Sequence, residues 1–168
     1  MINLDERPEK YQKCLRKLQP YKIHPYRFSA VNGWKLSTDT LNELGFLFEE
    51  TLGKGQIATW YSEEDERFPL HEKMHLLVRS YFCYGCSRGM IGSLLSHLSI
   101  LQDAYSSGYE TIWVMEDGIQ VLANPHTLSE LIGKLDELVG KGSWDILFTD
   151  SDAKSQKGRY VPCYNHSW

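Results

Sequence analysis

Apolar residues along the chain switch between two spacings, and the switch predicts strands and helices in turn. Met1-Ile2-Asn3-Leu4 reads as a short strand. Asp5 then offers a helix cap, and Pro8 occupies a first-turn position where its missing N–H costs nothing. Tyr11, Cys14, Leu15 and Leu18 recur at helical spacing, so the helix buries one stripe and shows its lysines to water. Pro20 and Pro25 bracket a connector. A second strand runs over 26–31 and stops at the turn pair Asn32-Gly33. Strand, helix and strand in this compass make a βαβ unit.

A second helix is predicted over 37–53, capped by Ser37, Thr38 or Asp39, lined by Leu41, Leu44, Leu47 and Phe48, and ended by Gly53. Residues 54–80 lack clear periodicity and read as loop with some helix. Their acidic cluster Glu63-Glu64-Asp65-Glu66 reads as a solvated face. Gly89 and Gly92, which suit close backbone approach, lead into a helix from Ser93 to Ser106. Leu94, Leu95, Leu98, Leu101 and Gln102 are expected on its buried side, with Gly108 as its end.

Thr111-Ile112-Trp113-Val114-Met115-Glu116 comes next as a near-continuous apolar run, the signature of a buried parallel strand. After Asn124-Pro125 comes a helix with Leu128, Leu131, Ile132, Leu135, Leu138 and Val139 on one stripe and Gly140 as its stop. A fourth strand is read over 144–150, ending in the acids Asp150 and Asp152. Alternating strands and helices predict an α/β fold, a doubly wound and mostly parallel sheet with helices on both faces. Two strands that end in carboxylates would open onto one crevice if they are neighbours.

Composition narrows this little. The 168 residues are 42% hydrophobic and 24% charged, with net charge −4, which suits one domain with a real core and gives no global case for nucleic acid. The N-terminal 27 residues are the exception, with seven basic residues against three acids. Such a face attracts phosphates, although a lysine-rich helix is more often simply solvated. No apolar run is long enough to span a bilayer, and no signal peptide is read at the start. Four cysteines are too few for a disulfide scaffold and are read as reduced thiols of a cytoplasmic protein. Cys83-Tyr84-Gly85-Cys86 spells C-x-x-C. A thioredoxin-type site requires this between a strand and a helix start with a lowered thiol pKa, and zinc requires a second pair that Cys14 and Cys163 do not supply. The ordinary reading is packing. Trp34, Trp60 and Trp113 are likewise read as core, whereas Tyr164 and Trp168 are candidates for stacking on a sugar ring.

The chemistry concentrates in Glu116-Asp117-Gly118. Two acids at the open end of a strand suit a hard divalent cation, which takes oxygen ligands and in turn holds phosphates. Asn3, Asp5 and Arg7 occupy the first strand-to-helix turn, where a nucleotide approaches in such folds. Arg7 can fork onto a phosphate oxygen, or pair on the surface with a capping Asp5. Gly33 serves a turn.

Five blocks carry a family resemblance: I-N-L-D-E-R-P at 2–8, R-F-S-A-V-N-G at 27–33, G-M-I-G-S-L-L-S-H-L at 89–98, W-V-M-E-D-G at 113–118 and W-D-I at 144–146. In this order the chain resembles glycosyltransferase family 25, which includes bacterial lipopolysaccharide galactosyltransferases and collagen galactosyltransferases. The resemblance implies a nucleotide-sugar-binding, type A glycosyltransferase-like fold. It also implies a UDP-sugar donor (commonly UDP-galactose), a divalent metal, usually manganese with magnesium as the other candidate, and inversion at the anomeric carbon. The acceptor implied is a saccharide or glycolipid such as lipopolysaccharide core, with no nucleic-acid partner and at most peripheral contact at the inner face of the membrane. Glu116 and Asp117 become the metal ligands. Asn3, Asp5, Arg7, Gly33, His97 and Glu116 line the donor site, His97 because it sits in the block that looks like the family's Ser-His pair. Asp150 and Asp152 are the candidates for removing the acceptor hydroxyl proton.

Residues 1–122 are then the donor-binding part of a single domain and 123–168 the start of an acceptor-side part. Family catalytic domains continue further, so the C-terminal side is expected to be truncated, minimal or completed by a partner. One departure stands out. Family members usually carry Glu-Asp-Asp where this chain has Glu116-Asp117-Gly118. Either Gly118 makes a tight turn and Asp117 or water takes over, or metal binding is weakened and the protein is a weak or inactive relative that binds nucleotide sugar or a partner.

Overall fold

The structure is a computed structural model of the chain, and it describes residues 1–48, 55–64, 68–76 and 79–149. It is mixed α/β. The chain divides into two units, Met1–Leu122 and a second beginning at Ala123.

The first unit starts as the spacing predicts. Strand β1 (Ile2–Asn3) leads into helix α1 (Pro8–Leu18), and strand β2 (Phe28–Ser29) returns parallel to β1 with Ile2 opposite Phe28 and Asn3 opposite Ser29. Pro8 does take the first helical turn. Cys14 and Leu18 are buried with Met1 and Met115, and Tyr11, Ile23, Ile119 and Val121 pack around them. Asp5 does not cap α1. The cap position belongs to Arg7, which caps with no side-chain hydrogen bond.

The extended run 111–116 lies on the other side of β1, but it is not a regular strand. Ile2 N–H donates to the Met115 carbonyl at 2.7 Å, and one parallel bridge joins Ile2 to Glu116. Met115 is buried, Ile112 and Val114 are half-buried, and Thr111 and Trp113 are exposed. Beyond this bridge it joins no strand among the described residues. The result is a parallel core of β2, β1 and residue 116.

Helix α2 (Thr38–Leu44) is much shorter than predicted. Ser37 caps it by accepting from Thr40 N–H at 3.1 Å, and the chain leaves the helix at Gly45. Phe46–Leu47 then forms strand β3, and the predicted stop Gly53 lies outside the described residues. The region read as loop with helix is β instead. Strand β4 (Ile57–Trp60) pairs antiparallel with β5 (Leu70–Lys73), and β3 pairs antiparallel with β6 (Ser80–Tyr81). Thr59 and Phe82 exchange backbone hydrogen bonds of 2.9 and 2.7 Å, which ties β4 to the residue after β6. Runs of two to four residues are too short to declare a period of two, which is why this hairpin escapes the sequence pattern. Trp60 is only partly buried, with the Arg79 guanidinium 3.6 Å above its ring.

Helix α3 (Arg88–Ser106) begins earlier than predicted, because Ser87 caps it through Met90 N–H at 3.2 Å. Its buried face is also different. Ile91, Gly92, Ser96 and Ala104 face inward while Leu94, Leu98 and Leu101 are exposed. Small residues win that face because the chain at Val31–Gly33 comes to backbone distance. A Cβ on Gly33 would meet the Arg88 carbonyl oxygen at 1.7 Å, and one on Gly92 would meet Gly33 N at 2.5 Å. Gly33 serves a turn, as read, since it opens the 3-10 turn Gly33–Lys35, and it is also a close-approach residue. Trp34 beside it is exposed. Gly108, at φ +72°, closes the helix region as expected.

In the second unit, Asn124 caps a short 3-10 turn that runs into α4 (Leu128–Val139), and Gly140 ends it at φ 94°. None of the described residues of α4 is buried. The predicted strand 144–150 is not one over its described part: 144–149 join no strand among the described residues, and Ile146 and Phe148 are exposed. The doubly wound sheet is thus not formed among the described residues, which hold three two-stranded sheets. No helix there is long and apolar enough to cross a membrane.

Candidate functional site

Parallel pairing of β1 with β2 on one side and Glu116 on the other brings three chain ends together: Asn3-Leu4, Ser29-Ala30 and Glu116-Asp117. All three run in the same direction, so each delivers its next residues to one shared edge.

Asn3 is the centre of this edge. It is 1% exposed, and its amide is fully used. Nδ2 donates to Asp117 Oδ2 at 2.8 Å and to the Arg7 carbonyl at 2.9 Å, while Oδ1 accepts from Arg27 Nε at 2.9 Å. Arg27 can only donate, so it fixes which end of the amide faces the aspartate. Arg27 also reaches Asp5 Oδ1 at 2.7 Å, and Ser29 Oγ donates to Asp5 Oδ2 at 2.7 Å. These two partners, Ser29 first, hold the Asp5 carboxyl below the usual carboxylate range. Asp5 therefore pairs with Arg27, not with Arg7. The Arg7 side chain is exposed at the uncapped start of α1. Next to it, an ion pair with Lys35 lowers the Glu6 pKa to about 2.

Glu116 and Asp117 face opposite ways. Asp117 turns toward α1: its side chain is 19% exposed, Lys10 Nζ stands 4.0 Å from Oδ1, and Cys14 Sγ donates to its backbone carbonyl at 2.9 Å. Glu116 turns toward α3 and is 61% exposed. His97 Nε2 lies 3.0 Å from its Oε1 and Ser93 Oγ 3.5 Å. The next turn of α3 is anchored to the sheet end, since Val31 N–H donates to Ser96 Oγ at 2.8 Å.

Asn3, Asp5, Arg7, His97, Glu116 and Asp117 are thus gathered around one edge, and Gly33 supports it from below by letting α3 come close. Asp150 and Asp152 lie outside the described residues. Arg27 and Ser29 are the residues that sequence reasoning missed; their signal was the Arg-x-Ser alternation that puts both on one face of β2.

As a cation site the edge is incomplete among the described residues. Among the described residues no three His, Cys, Asp or Glu side chains come together around one point. Glu116 offers an exposed carboxylate with an imidazole behind it. Asp117 has already given Oδ2 to Asn3 and keeps Oδ1 near Lys10. Gly118 is where a further acid would go: its φ is not left-handed, and a Cβ there meets nothing within 4 Å. So it is not a glycine that the turn requires.

The edge is a parallel strand end with acids, beside a helix start that has no side-chain cap and a basic first helix. The chain is 26% identical over 148 residues to a glycosyltransferase 25 family member of Aedes aegypti and 25% identical over 148 residues to one of Drosophila melanogaster. It is 23% identical over 153 residues to the inactive glycosyltransferase 25 family member 3 of Homo sapiens. Each match takes in 88% of this chain and 20% of the relative, so the chain spans about a fifth of the length of the curated relatives it matches. No protein-family model and no solved structure matches the chain. Over this stretch the chain is similar to glycosyltransferase 25 family members.

Proposed function

We propose that residues 1–122 are the donor-binding part of a family 25-type glycosyltransferase whose sheet is completed into the doubly wound, type A arrangement, with 123–168 opening the acceptor side. The reaction proposed is transfer of a sugar, galactose in the first instance, from a UDP-sugar to a saccharide acceptor such as lipopolysaccharide core, with inversion. The supporting observation is the Asn3 amide, which ties the β1 end, the Arg7 turn and Asp117 into one rigid edge.

On this reading the donor diphosphate lies against the start of α1. There Arg7, Lys10 and the N-terminal end of α1, whose cap makes no side-chain hydrogen bond, supply positive charge. Glu116, backed by His97, is the ligand we assign to a divalent cation (manganese, with magnesium fitting the same oxygens), and Asp117, the second ligand proposed, would have to turn from Asn3 and Lys10 to join it. Bound there, such an ion would neutralise the departing diphosphate as a Lewis acid. Asp150 or Asp152 is the proposed base toward the acceptor hydroxyl. A cytoplasmic protein acting at the inner face of the membrane fits this acceptor.

Gly118, which leaves open space where a further acid would go, favours a second reading, a weak or inactive relative that keeps donor binding. Calorimetric titration of UDP-galactose with and without manganese, on wild type and Asp117→Ala, separates the possibilities when paired with an assay of released UDP. Metal-dependent binding with turnover supports the transferase. Metal-dependent binding without turnover supports the second reading, and no binding removes both.

A further inference from the structure

Cys83 and Cys86 sit in a tight turn between β6 and the cap of α3. Cys86 N–H donates to the Cys83 carbonyl at 3.1 Å, closing the turn, and Gly85 supplies the left-handed residue at φ 78°. Gly85 N–H is pinned in turn by Thr59 Oγ1 at 2.9 Å. A hydrogen-bonded four-residue turn brings its end Cα atoms within about 7 Å, the span a disulfide bridges. Cys83 is near enough to Cys86 to help raise its thiol pKa. Their exposure differs: Cys83 is exposed, while Cys86 is buried against Leu41, Tyr61 and Ile91. Tyr61 Oη donates to the Cys86 carbonyl at 2.7 Å, so the backbone of the turn is held whatever the sulfurs do.

An exposed thiol and a buried one at the two ends of a closed turn, on a backbone fixed from three sides, are a built pair and not two scattered packing residues. We infer that Cys83 and Cys86 form a reversible intramolecular disulfide by exchange with small-molecule or protein disulfides. Cys83, as thiolate, attacks one sulfur of the disulfide RSSR; that S–S bond breaks and one RSH leaves with the proton Cys83 gave up. Cys86 then attacks Cys83 Sγ, the mixed disulfide breaks, and the second RSH leaves. Two S–H bonds are oxidised and one RSSR is reduced. Burial, together with the neighbouring Cys83, pushes the Cys86 thiol up to about 11, so the second step is the slow one. This does not depend on the sugar-transfer reading.

The tryptic peptide 80–88 carries both cysteines and no other, which makes the test local. The chain is equilibrated in buffers of reduced and oxidised glutathione, quenched in acid, alkylated and digested. The expected end point in oxidising buffer is a peptide lighter by two hydrogens and free of alkyl groups, restored to the doubly alkylated form by excess reduced glutathione. Cys83→Ser should give a peptide whose Cys86 stays alkylatable only after unfolding. A persistent glutathione adduct on Cys83 of wild type, with Cys86 still free at equilibrium, would overturn the pairing.

Discussion

Asn3 donates its amide to Asp117 at 2.8 Å across 114 positions of sequence, and Arg27 decides which way that amide points. Replacing Asn3 by Leu leaves the Arg27 Nε–H and Asp117 Oδ2 without this partner. Both groups are only part-buried, so the expected cost is at the low end, about 1 kcal/mol each, read as a lower urea midpoint at unchanged slope. Asn3→Asp, which keeps the shape, sets a carboxylate against a carboxylate. Its loss should be smaller at acid pH, where either acid can be protonated.

Arg27 acts through geometry more than charge. Arg27→Lys keeps the positive charge but cannot reach Asn3 Oδ1 and Asp5 Oδ1 together. It should lower stability nearly as much as Arg27→Ala. Full retention of stability in the lysine variant would mean that the fork to Asn3 and Asp5 contributes nothing.

The glycines divide sharply. Gly92→Ala must push a methyl into Gly33 N at 2.5 Å and the Val31 carbonyl oxygen at 2.6 Å, both backbone. Overpacking of this kind costs about 1–3 kcal/mol, and more where backbone cannot yield. Gly118→Ala meets open space and should stay within about 0.5 kcal/mol of wild type. Thermal denaturation of the two variants side by side checks the contrast.

How much of this the sequence shows depends on how local the cause is. The β1–α1–β2 unit is legible because eleven helical residues with a Pro start and one apolar stripe are decided by near neighbours. The leucines of α3 misled the reading of its buried side. Period alone cannot tell that Gly92 and Ser96 are inward, since that choice is made by the approach of residues 31–33. The acids 116 and 117 are legible as a pair, but their divergence is not, because it comes from Asn3 on one side and His97 on the other. Arg27 looked like one more cation in a basic segment until β2 was set beside β1.

Alkali should loosen the cluster under α3. Burial raises the Tyr61 phenol from 10.0 to about 12, and burial with Cys83 raises the Cys86 thiol from 9.0 to about 11. Below pH 9 both are neutral whether the chain is folded or not, so their stabilising effect is complete. Between the unfolded and folded values only the unfolded chain ionises, and stability falls as pH rises. Melting temperature, measured with the thiols kept reduced, should drop steadily from pH 9 to 11. On the acid side Glu6 works in the opposite sense. Its contribution is present above 4.5 and is lost as pH falls toward about 2. It should be small, because the Lys35 pair is exposed.

Position 118 offers the most direct test of the donor-site reading. The edge built by Asn3, Glu116 and Asp117 lacks an acid where Gly118 leaves open space, so Gly118→Asp should supply it without disturbing the fold. Isothermal titration of UDP-galactose in manganese should show metal-dependent binding in wild type and binding at least about tenfold tighter in Gly118→Asp, a change of about 1.4 kcal/mol. No binding by either protein, with the variant still folded, would contradict the assignment of this edge as a nucleotide-sugar site.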